Sequence, residues 1–157
     1  MYNTYRELYH VKSFRKRFFP LLKVVRSEAV IFQLKSTLIP PELQMEVENT
    51  QLVLHSTTFT QFLSFLCHYR LNNFSKHRES LRELQNTIEK PDRIRELTSK
   101  ALSYICLGIA FQLHGDKDSA DIAFLQAYEL ESCGVKEVAL KRLRWLELLQ
   151  HNSFNVK

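Results

Sequence analysis

The side chains weighed first for chemistry in this chain are six histidines, three cysteines and the carboxylates Glu46 and Glu48. A nucleophilic enzyme needs a Ser or Cys with a base in reach, and a metal centre needs imidazoles and thiolates at ligand spacing. His10, His55, His68, His77, His114 and His151 are scattered, and no Ser, Cys or Asp near them completes such a group. Cys67-His68 comes nearest to a ligand pair, but adjacent residues on a helix point about 100° apart. Cys67, Cys106 and Cys133 lack the Cys-x-x-Cys spacing of a metal site and read as reduced core or near-core residues of a cytoplasmic protein. Glu46 and Glu48 are two apart, without the preceding Gly-Ser of nucleotidyltransferases. The three glycines, Gly108, Gly115 and Gly134, make no phosphate loop. His77 and His114 each lie beside a turn, as packing or capping residues. The expectation is a protein that is not an enzyme, with no metal, no cofactor and no small-molecule substrate.

Charge points elsewhere. The net charge of +5 is concentrated at one end: residues 1–26 hold seven basic side chains against Glu7 alone, a net +6, so residues 27–157 sum to −1. Lys12, Arg15, Lys16, Arg17, Lys23 and Arg26 interleave with Phe14, Phe18 and Leu21 or Leu22 at helical spacing, broken by Pro20. Such a segment can meet an anionic membrane or nucleic acid, or it can lay its aromatics on the rest of the chain and solvate its charges. No apolar run approaches the roughly 18 residues that span a bilayer.

The elements that would position any site are mostly helical. Hydrophobic content of 45% in 157 residues is ample for one core, and 3 Gly with 4 Pro leave little material for β-hairpin turns. Ala29 to Leu38 alternates enough for a short strand, but equally suits a helix end or an extended connector. Pro41 followed by Glu42 starts a short helix to about Glu48. A helix then begins at Thr57 or Thr58, turns at Asn72-Asn73 and returns. Pro91-Asp92 starts a long helix to His114, Gly115-Asp116 ends it and caps the next. Val135 to His151 forms a last helix with Val135, Val138 or Ala139, Leu143, Leu146 and Leu149 on one face, with Arg142 among the charges opposite and Trp145 helping to seal the end.

Within ALSYICLGIAFQLHGDKDSADIAFLQAYELE, Ala101 to Glu131, seven residues recur at fixed spacing: Tyr104, Leu107, Gly108, Phe111, Ala120, Phe124 and Ala127. At these positions the stretch resembles the tetratricopeptide repeat (TPR), a helical hairpin of roughly 34 residues. Phe62, Phe65, Leu66 and Tyr69 repeat the first-helix spacing, and Leu81 and Leu84 follow in the partner helix. This makes a second, degenerate copy at 58–90. Leu66 and His77 stand there where the small pair Gly108 and Ala120 would be, which should hold that hairpin's helices farther apart. The expected architecture is all-α: two antiparallel TPR-like hairpins over 51–151 with a capping last helix, a basic aromatic segment over 1–50 packing on them, and a frayed tail at 152–157.

The resemblance implies a protein-interaction scaffold, in which the first helix of each hairpin lines a concave face. Carried over by position, the partner-binding residues are Leu63, Cys67 and Arg70 in the first hairpin and Leu102, Ile105, Ile109, Gln112 and Leu113 in the second. The partner would be an amphipathic helix or apolar peptide, and self-association is a further possibility. So apolar a groove is seldom left open in a soluble monomer. Residues 1–50 could fill it, and the sequence leaves open and filled states as equal alternatives.

Overall fold

The computed structural model describes residues 29–33, 36, 38–47, 51–90, 94, 96–130 and 134–154, with side chains omitted at 47 and 147–154. The chain is mostly helical, with a single two-stranded sheet among the described residues. In order come β1 (Ala29–Phe32), a 3-10 helix (Pro41–Val47), β2 (Leu52–His55), α1 (Ser56–Arg70), α2 (Phe74–Glu89), α3 (Leu97–His114), α4 (Lys117–Glu129) and α5 (Val135–Phe154).

The two hairpins close by the same device. In the second, Gly115 takes the left-handed conformation (φ 93°), its N–H donates to the Gln112 carbonyl, and the Asp116 N–H donates to Phe111. In the first, Asn72 is left-handed (φ 53°), its N–H donates to the Tyr69 carbonyl, and the Asn73 N–H donates to His68. Both are the paired closure that satisfies carbonyls left over at a helix end. Asn is among the few side chains that tolerate this conformation, so Asn72 does what Gly115 does 43 residues later. The next residue then caps the returning helix: Asn73 accepts from the Lys76 N–H at 3.2 Å, and Asp116 from the Ser119 N–H at 3.1 Å.

Packing differs where the two copies differ. A Cβ on Gly108 would lie 2.5–2.8 Å from the Phe124 ring, so the space that glycine leaves is filled by an aromatic face rather than by a second backbone. At the matching positions of the first hairpin Leu66 and Leu81 are both buried. A large residue on the first helix is thus matched by a smaller one on its partner, which offsets the bulk expected to spread that pair.

α3 lies between α1 and α5 and packs on both, so the three first-position helices form a row. α2 packs on α1 and α3, and α4 on α3 and α5. β1 and β2 pair antiparallel with Val30 opposite Leu54 and Phe32 opposite Leu52, all four buried. Phe32 meets Phe59 of α1 edge-on at 5.2 Å. The sheet lies on α1 and α3, and the 3-10 helix on α5.

Four expectations change. α1 begins at Ser56, directly after β2 and ahead of the expected start at Thr57 or Thr58. α3 begins at Leu97 rather than Pro91-Asp92, because Glu96 is extended (φ −81°, ψ 124°) and Ile94 is drawn into the core. α5 continues to Phe154, past the expected end at His151. Trp145 is 55% exposed and seals nothing, whereas Arg142 is buried at 6%.

Candidate interaction surface

The sequence places partner binding on α1 and α3, two of the three helices of the row. Of the eight residues named for it, Leu63, Leu102, Ile105 and Ile109 are buried, and they belong to one cluster with Val30, Phe32, Ile39, Leu43, Leu52 and Leu54. β1, β2 and the 3-10 helix of the same chain lie over this face, so these four side chains are covered and do not line an open groove. The reason is apolar area: those four side chains leave water together with Val30, Phe32, Ile39, Leu43, Leu52 and Leu54 of the cover, and the joint burial favours the closed arrangement. Cys67, Gln112 and Leu113 are half-buried at the margin. The basic patch from Lys12 to Arg26, with Phe14 and Phe18, lies outside the described residues, as do Glu48 and Cys133.

Two arginines hold the cover down. Arg70, at the C-terminal end of α1, donates from one nitrogen to both carboxylate oxygens of Glu42, at 2.7 and 2.9 Å. Arg142, midway along α5, donates to Glu46 Oε1 from Nε at 3.1 Å and from Nη2 at 2.8 Å. The same Nη2 donates to the Glu42 carbonyl at 2.6 Å. The second pair is buried on both sides, with Glu46 2% exposed. In sequence Arg142 follows Ala139 by three and precedes Leu146 by four, so it sits on the buried stripe Val135–Ala139–Leu146. That placement was the available signal, although nothing in it names a partner 96 residues away.

Hydroxyls and one thiol complete the buried chemistry. Ser103 donates to the Ser99 carbonyl at 2.7 Å, which leaves its oxygen to accept from the Thr58 hydroxyl at 3.2 Å, tying α3 to α1. Ser99 donates to the Val53 carbonyl at 3.3 Å, tying α3 to β2. Burial pushes the Cys106 thiol far up, with Glu46 adding to the rise, so it stays protonated and inert.

Behind the row, the two histidines beside the turns meet. His77 Nε2 is 3.0 Å from His114 Nδ1, and the rings cross edge-on at 5.1 Å. Phe65, Tyr69 and Phe74 surround His77, whose Nδ1 is buried without a partner. Burial lowers its pKa, and His114 and His68 lower it further. One imidazole must donate and the other accept, so the contact requires at least one neutral ring.

No family model, curated protein or solved structure matches the chain. Among the described residues no three metal-ligating side chains come together, and no helix is long and apolar enough to cross a membrane.

Proposed function

We propose that this chain is a non-catalytic protein-interaction scaffold of the cytoplasm, a TPR-like stack whose inner face seats a polypeptide segment. One observation supports the reading: the row of α1, α3 and α5 already holds other segments of the chain, β1, the 3-10 helix and β2, by apolar contact and two arginine–carboxylate pairs. The repeated turn and cap at Asn72-Asn73 and Gly115-Asp116 supports the comparison with repeat scaffolds. The partner is another protein or peptide, and small molecules and cofactors have no part in it.

A photo-reactive amino acid placed at Cys67, Gln112 or Leu113, on the margin of the covered face, tests this in native extract. A polypeptide should crosslink there reproducibly. The rival is binding of acidic membrane or nucleic acid through Lys12, Arg15, Lys16, Arg17, Lys23 and Arg26, favoured by the +6 concentrated in residues 1–26. If only lipid or nucleic acid is recovered, and both salt and deletion of residues 2–26 abolish it, the scaffold reading is wrong.

A further inference from the structure

The residues that cover the inner face do so in an unusual form. The 3-10 helix Pro41–Val47 is seven residues long, where runs beyond three or four are uncommon because the hydrogen bonds are poor. Its conformation is set by what it lies on. Leu43 is 1% exposed, and the carboxylates on either side of it, Glu42 and Glu46, are received by Arg70 of α1 and Arg142 of α5. The arginines belong to the helical row and the carboxylates to the cover, so the row presents two cations to an acidic, leucine-bearing segment.

We infer that the 3-10 segment is an internal stand-in for the partner, and that the partner is a peptide carrying two carboxylates four residues apart with a leucine next to the first. This deepens the scaffold reading and rests on it. Arg142 is the selector. Lifting the segment off without replacement would break both ion pairs and open Leu43 and the apolar row beneath it to water, which is strongly unfavourable. Exchange for a second acidic segment keeps the ion pair and the apolar contact, so only such a segment displaces the first. A peptide without the second carboxylate leaves Arg142 unmatched and cannot.

The test uses the full chain and a labelled synthetic peptide with the sequence of residues 38–49, LIPPELQMEVEN, followed by fluorescence anisotropy. Leu43→Ala in the protein weakens the internal segment, so the peptide should bind this variant at least about tenfold more tightly than it binds wild type. A peptide with Gln in place of its second carboxylate should bind at least about tenfold more weakly than the parent. On binding, the amides of residues 41–47 of the protein should exchange hydrogen faster. Glu42→Gln, which loosens only the rim pair, keeps the test decisive should Leu43→Ala not fold, and it too should bind more tightly than wild type. A folded variant that ignores the peptide at millimolar concentration overturns the inference, as does equal binding of the acidic and amide peptides. Light scattering that shows the variants dimerising assigns the face to a second copy of this chain and also overturns it. Because crosslinking at the margin is read independently, failure of the peptide alone removes the acidic-peptide inference and leaves the scaffold reading standing.

Discussion

Gly108 packs on Phe124 with no space for a Cβ, and substitution there should be felt in proportion to volume. Gly108→Leu drives its side chain into a ring already in contact and should cost about 1–3 kcal/mol in chemical denaturation. Adding Phe124→Leu reproduces the Leu66–Leu81 arrangement of the first hairpin and should recover part of that loss. An additive double mutant would show that the two sites do not share the space. Arg142 is the other sensitive residue. Arg142→Ala takes the guanidinium away from the buried Glu46 carboxylate and should destabilise by about 3–5 kcal/mol, while Arg142→Met with Glu46→Leu should cost far less. His77 sets a pH dependence whose sign follows from its environment. Its folded pKa is depressed, so the fold favours the neutral ring. Stability is intact above the unfolded value of about 6.5 and falls as pH drops through it toward the folded pKa. Thermal melts at pH 7.5 and 5.5 should show this loss, and His77→Gln should flatten it.

At the scale of the element, each hairpin depends on a single left-handed residue. Gly115 has φ 93° with open space around it, so Gly115→Ala carries only the backbone term and should cost about 1–2 kcal/mol. Asn72→Gly sits at the same place in the other turn and should leave stability nearly unchanged, since both residues accept the conformation. Equal losses from both substitutions in denaturant titrations would contradict the equivalence of the turns. These features could be read from the residues alone. Gly-Asp and Asn-Asn name turn and cap together, and the three-one-three spacing of large residues names the inward face of α1 and of α3. The start of α3 was not readable from the same signals. Pro91-Asp92 has the form of a helix start, but Ile94 is needed in the core and the helix waits until Leu97.

Taken whole, the molecule is a row of three helices closed on one side by a chain segment and backed on the other by two more. The cover makes one prediction at this scale. In hydrogen exchange of wild type, the helical row should be protected to the global stability, while the 3-10 segment should open at lower energy because its own hydrogen bonding is weak. Simultaneous exchange of both would make the cover inseparable from the core. The sequence by itself determined the helical class, the two hairpins, their turns and the apolar character of the inner face, because propensity, capping and periodicity act over a few residues. What lies on that face was decided only by tertiary structure. LVLH is too short a run to announce a strand, and it forms β2 because β1 and α3 supply its partners. Arg142 reads as one more charge on a helix until Glu46 is brought against it. A helical wheel fixes which way a side chain points, but only the closed chain fixes what it meets there.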